Sequence, residues 1–245
     1  MRRIHISIIL ALELFAPVKE LLAGPFLDFE GGIVYSGYND VRIPGDTGTK
    51  FSLTDDLDTD STFFVRLRLG ITLFQRHTLS FLYAPLTLRA DGYINRAGVF
   101  DNASFTPGSY LQAKFRFDSY RLTYRYDFIS NEVLVLGAGL TGKIRDAALR
   151  LESAGIASER KNTGFVPLIN LRLQWNIIEP MSFIFEADAL WAPQGRAEDL
   201  LFALQLNVSR NLSLRAGYRM LEGGSDNDEV YTFSMLHYVV FGFTF

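Results

Sequence analysis

Cysteine is absent from all 245 residues. That excludes disulfides, thiol catalysis and cysteine-ligated metals, and leaves no cysteine to carry a lipid anchor. Histidine is almost as scarce, with His5, His77 and His237 the three present. None has a neighbouring Ser or carboxylate in the pattern of a general base with an orienting partner. An excess of one charge is also missing. The formal balance is −3, so an electrostatic grip on nucleic acid is not expected. Hydrophobic residues make up 48% of the chain, yet no run of 18 or more occurs, which argues against a membrane-spanning helix. No metal site or cofactor is expected.

Aromatic residues are plentiful, with 21 Phe and 11 Tyr, and they follow a pattern. From Tyr231, the stretch YTFSMLHYVVFGFTF sets Phe233, Met235, His237, Val239, Phe241, Phe243 and Phe245 on one face. Thr232, Ser234, Leu236, Tyr238, Val240, Gly242 and Thr244 fall on the other. Sustained period 2 is a strand signal. A soluble domain seldom leaves such a strand unprotected, because a bare edge invites aggregation. At the other terminus, MRRIHISIILALELFAPVKELLAG places Arg2 and Arg3 before a mostly apolar stretch, Ile4 to Val18, too short to span a bilayer. Ala23 then offers a small residue for cleavage before Gly24. Residues 1–23 are therefore expected to be a secretory signal peptide and residues 24–245 a single domain. Glu13 and the large Leu21 depart from the usual layout, and the alternative is an ordinary N-terminal helix.

Alternation and turn residues predict ten strands. They run Phe26–Arg42, Ser61–Phe74, Thr78–Ile94, Ser109–Phe128, Glu132–Arg145, Thr163–Asn176, Met181–Ala192, Ala197–Ser209, Leu212–Leu221 and Glu229–Phe245. Most are long enough for a tilted strand to cross a hydrocarbon core, which takes about 9–11 residues. Short connections at Gln75–His77, Ile129–Asn131, Ile177–Pro180 and Arg210–Asn211 alternate with long polar ones. The long ones are Ile43–Asp60, Asn95–Gly108, Asp146–Asn162 and Glu222–Asp228, and only Pro193–Arg196 breaks the rule. In KFRFDSYRLTYRYDF the rings change parity, from Phe115 and Phe117 to Tyr120, Tyr124 and Tyr126. A β-bulge near Asp118–Ser119 would reconcile the two halves.

Two motifs compete with this reading. Gly137, Gly139 and Gly142 form a G-x-G-x-x-G after a Val/Leu run, the fingerprint of a dinucleotide-binding turn. The second apolar strand that such a unit needs does not follow, so this is a remote alternative. TDDLDTD spaces Asp56, Asp58 and Asp60 like the opening of a calcium loop, but Ser61 and Leu67 occupy the required Gly and Glu positions. A solvated external loop is expected instead.

The terminal strand ending on Phe245, with RHTLSFLYAPLTL and SYRLTYRY, resembles bacterial outer-membrane barrel proteins over nearly all of the mature chain. The resemblance implies an all-β, transmembrane, antiparallel up-and-down barrel of about ten strands (8–12) in the cell outer membrane of a Gram-negative envelope. Polar faces then turn inward. Arg66, Arg68, Arg116, Arg121, Arg125, Arg172, Glu186, Asp188, Arg215 and Arg219 are expected to form a lumen ion-pair network. Arg89, Asp28, Glu30, Asp127 and Asp199 are assigned to the same face. Trp175, Trp191, Tyr126, Phe243 and Phe245 are expected at the membrane interfaces. Implied partners are outer-membrane lipid and lipopolysaccharide, together with the barrel-assembly machinery acting through the Phe245 strand; a monomer without nucleic acid is expected. A filled ionic lumen with a structural or loop-mediated binding role leads the functional expectations. The alternatives are a narrow, porin-like, anion-preferring pore and a lipid-modifying enzyme or protease, with enzymatic activity not favoured.

Overall fold

A sheet with two unlike faces satisfies such alternation, and closing the sheet on itself removes its edges. The structure, a computed structural model, describes residues 22–245 and contains fifteen strands. They are β1 (Leu22–Arg42), β2 (Phe51–Ser52), β3 (Asp58–Thr59), β4 (Thr62–Leu73), β5 (His77–Ala84), β6 (Thr87–Tyr93), β7 (Gly98–Phe100) and β8 (Ala103–Phe105). Then follow β9 (Tyr110–Ser130), β10 (Leu134–Ser153), β11 (Ile156–Ile178), β12 (Met181–Ala192), β13 (Gly195–Asn207), β14 (Ser213–Asp226) and β15 (Tyr231–Thr244). The expected signal peptide lies outside the described residues, apart from Leu22 and Ala23.

The wall is a closed antiparallel ring: β1, β4, β5 with β6, β9, β10, β11, β12, β13, β14, β15 and back to β1. Its ten places follow chain order, so each strand pairs with its neighbours in sequence. β5 and β6 share one place, since both pair with β9 in a single register interrupted at Pro85 and Leu86. Closure runs from Asp28–Thr244 to Arg42–Tyr231, and Leu27 and Phe245 exchange backbone hydrogen bonds of 2.8 Å. Both described chain ends and the tight turns after β4, β9, β11 and β13 lie at one end of the barrel, the turn end. The longer segments lie at the other, the cap end.

Two expectations need correction. Asp146–Asn162 is not a loop. β10 and β11 remain paired up to Ser153–Ile156, and the hairpin closes on Ala154 and Gly155, both at positive φ (46° and 85°), as a tight two-residue turn requires. Nor does β9 bulge at Asp118–Ser119. Its pairing with β10 is unbroken from Asp127 to Gln112, and the one irregularity in that ladder sits at Phe128. What changes along β9 is the surroundings. Near the turn end Tyr120, Leu122, Tyr124 and Tyr126 face outward and Arg121 and Arg125 inward. Near the cap end Lys114 and Arg116 face outward, while Leu111, Ala113 and Phe115 are buried inside. The strand outgrows the apolar belt, and its two faces exchange character without exchanging parity.

The inward residues at the cap end form a hydrophobic core with the connections above them. Residues 43–61 fold over the mouth, burying Phe51, Leu53 and Leu57, and the β7–β8 hairpin buries Phe100 and Phe105 beside them. The acidic loop expected to be solvated is thus partly packed inward. Asp56 accepts the Ser52 N–H at 2.9 Å and pairs with Arg96 at 2.6 Å. Gly137, Gly139 and Gly142 lie within β10, which runs as a strand where a dinucleotide site would need a turn into a helix. A Cβ on Gly137 would collide with the Asp127 carboxylate.

Candidate functional site

The lumen holds two layers with different chemistry. Nearer the turn end, inward side chains from most of the wall strands meet in an ionic layer. Asp199 of β13 takes Arg66 at 3.0 Å and Arg121 at 2.6 Å, and also pairs with Arg219. Glu30 of β1 takes Arg219 at 2.8 Å, Arg215 at 2.7 Å and the Arg66 Nε at 3.3 Å. Arg215 also forks onto Asp28, with both nitrogens at 2.6 Å. Glu186 pairs with Arg172 and, at 3.1 Å, with Arg68. Asp188 accepts from Arg121 at 2.8 Å, Thr141 at 2.9 Å and Asn170 at 2.8 Å, while Arg125 reaches Asp127 at 2.8 Å. Burying charge is tolerable where each ion meets opposite charge and further hydrogen bonds, and this layer is built that way. Arg68 on β4 and Glu186 on β12 stand diametrically opposite in the ring, so their contact crosses the bore.

Arg116 and Arg89 are placed elsewhere. Both lie on the outward face of the cap end, where Arg116 bridges Asp118 at 2.8 Å and Asp146 at 2.7 Å with its side chain 30% exposed. Parity assigned Arg116 to the lumen only because a bulge was assumed between it and the tyrosines, while Arg89, on β6, shares the outward parity of Leu79, Phe81 and Tyr83 in one continuous register. On the outer wall, Trp175 lies toward the turn end and Trp191 toward the cap end, where the Trp191 indole N–H donates to Glu198 at 2.8 Å. Tyr126 and Phe245 are exposed, and Phe243 stacks on Phe29 with ring centroids 5.5 Å apart. His77 bonds the Tyr124 hydroxyl at 2.8 Å, and His237 stacks on Tyr35 and bonds the Tyr218 hydroxyl at 2.5 Å. Both imidazoles thus sit among outward-facing rings.

Above the ionic layer, on the β10–β15 side left open by the cap, lies a cavity of about 400 Å³. Its walls are mostly apolar, from Val41, Ile43, Phe115, Phe117, Leu149, Val166, Leu190, Leu221 and Val230. Its polar groups include Asn39, Lys143, Arg145, Arg160, Arg196 and Glu222. Arg196 is held by Glu222 through two 2.9 Å bonds. Arg160 lies 3.8 Å from both Asp101 and Glu229. Lys143 has no carboxylate partner among the described residues; its ammonium sits 4.9 Å from the centre of the Phe117 ring. Sequence reasoning passed over Lys143 and Arg145. The signal was present, since Thr141, Lys143 and Arg145 share the inward parity of β10 and fall within the expected strand Glu132–Arg145, but the glycine motif drew the reading of this stretch.

No family model matches the chain, and no curated protein matches it. Among solved structures, the outer membrane protease OmpT of Escherichia coli aligns with a TM-score of 0.55 and 10% identity, covering 91% of this chain and 96% of its own. The transport unit of the autotransporter AIDA-I, also from Escherichia coli, aligns with a TM-score of 0.50 and 11% identity, covering 97% and 95%. The attachment invasion locus protein Ail of Yersinia pestis covers 90% of this chain and 99% of its own at 14% identity, with a TM-score of 0.40 too low to argue from. At these identities the likeness is one of fold. The chain is a closed ten-stranded up-and-down barrel with the fold of bacterial outer-membrane barrels, and its outer wall carries many exposed large apolar side chains.

Proposed function

We propose that the protein is a non-conducting outer-membrane barrel, a rigid anchor that carries a binding surface at its cap end, which faces out of the cell. The observation that carries this reading is the ionic layer. Arg68–Glu186 crosses the bore, and the three-arginine clasp of Asp199 ties β4, β9 and β14 to β13. Long side chains can fill a barrel of this size. The packed segments 43–61 and 98–105 cover part of the mouth above. A rigid scaffold holding ordered outer segments is a common arrangement for recognition. Under this reading Trp175 and Trp191 contact the two interfaces of lipid and lipopolysaccharide, the Phe245 strand is what the assembly machinery engages, and the barrel works as a monomer.

Planar-bilayer recording tests the proposal. The purified barrel is expected to leave the bilayer silent at high protein load. Steady, anion-selective steps would overturn it in favour of a narrow pore lined by the arginines.

A further inference from the structure

We infer that the cap-end cavity binds an anionic amphipath, a single apolar chain ending in an oxyanion head (carboxylate, sulfate or phosphate), with Lys143 as the counter-ion of that head. The first observation is a contrast within one lumen. In the ionic layer each guanidinium meets a carboxylate. Lys143, only 4% exposed, makes no ion pair or side-chain hydrogen bond among the described residues, yet it lines the cavity. Arg145, the next inward residue, donates to Asn162 and also has no carboxylate. A buried cation without a counter-ion is unfavourable until something brings negative charge to it. The Phe117 ring supplies only part of that.

The second observation is the wall. Phe115, Leu149, Leu190 and Leu221 line the same cavity as the basic pair, and the volume of about 400 Å³ falls within the small-molecule range of roughly 300–1,000 Å³. The third is a gap. Pairing of β11 with β12 stops at Ile169–Ala189, although both strands continue toward the cap end. Val166 and Ala192, which the same register would set opposite each other, both border the cavity. Pro167, beside them, has no N–H to donate, as suits a free edge. A head at Lys143 therefore leaves the chain room to run along the apolar wall toward this opening.

The test uses the whole barrel folded into neutral phosphatidylcholine vesicles. The probe is undecanoate carrying a terminal dansyl group, with its methyl ester as the uncharged control. Wild type is expected to bind the acid about tenfold more tightly than the ester, a preference typical of a charge-assisted contact. Lys143→Met should lose that preference and Lys143→Arg keep it. Ala147 also lines the cavity, and Ala147→Phe, which fills it without changing charge, should abolish saturable binding of both. Folding of each variant is checked by its gel mobility before and after boiling. Faster arrival from preloaded vesicles would identify the bilayer as the source, through the gap; faster arrival from solution would identify the open mouth. Either route supports the site. Equal binding of acid and ester, or unchanged binding in folded Lys143→Met and Ala147→Phe, would overturn it. The non-conducting reading would survive that result, because conductance tests it separately.

Discussion

Arg121 and Arg116 lie on the same strand, and the same side chain does different work at the two places. The Arg121 side chain is 1% exposed and held by Asp188 and Asp199, whereas Arg116 faces outward near water. Removing one partner from a buried ion cluster strands the others in low dielectric. Asp199→Ala, which leaves three guanidiniums short of a carboxylate, should therefore destabilise the barrel by about 3–5 kcal/mol. Arg116→Ala should cost less than about 1 kcal/mol, as exposed pairs do. Urea unfolding from vesicles measures both, and similar losses would contradict the two placements. The sequence could put Arg121 on a polar face by parity. Unbroken parity would have set Arg116 on the opposite face; the assumed bulge hid this, because a face that changes from apolar to polar with height along the barrel axis looks like a slip of register.

At the scale of elements, β9 shows how a pattern can be misread. A change in which residues are apolar looks like a slipped register, yet the register is continuous and the two faces exchange apolar and polar character instead. The same reason hid the upper β10–β11 hairpin, whose charged residues suggested a loop. The cap, residues 43–61 with the β7–β8 hairpin, depends on a few polar ties over its apolar packing. Burial raises the Asp56 pKa, but the bonds from Arg96 and from the Ser52 N–H outweigh that, and the carboxyl ends below its usual value. A depressed acid stabilises at pH values above its unfolded value, and the contribution is lost as pH falls through the folded value. The tie to Arg96 should thus hold at neutral pH and fade below about pH 4. Protease cutting within residues 43–61 should rise on acidification, and Asp56→Asn should cut readily at neutral pH with little further pH response. Equal resistance of the variant and the wild type at neutral pH would show that apolar packing alone holds the cap.

For the whole molecule, closure and orientation are one problem. The ladder between β1 and β15 closes the ring, and Leu67, Leu69, Leu122, Leu171, Leu204 and Phe241 all face outward and exposed. So large an apolar exterior over an ionic interior suits a lipid solvent. Leu204→Arg, an outward residue that is 53% exposed, should weaken folding into bilayers by about 2–4 kcal/mol if it lies near the midplane. An unchanged folding free energy in vesicles would argue that this wall does not meet acyl chains.

Alternation along single strands was enough to indicate an all-β chain, about ten crossings and which residues share a face, because side-chain direction in a strand follows from parity. Tertiary structure decided what each face meets. Ion pairs such as Arg68–Glu186 and Arg215–Asp28 join residues far apart in sequence, and only closure of the ring brings them together. Lys143 without a carboxylate partner among the described residues, the cavity it lines and the gap between β11 and β12 arise the same way. They depend on strand height and on where ladders stop, which three-dimensional packing sets and local periodicity does not encode.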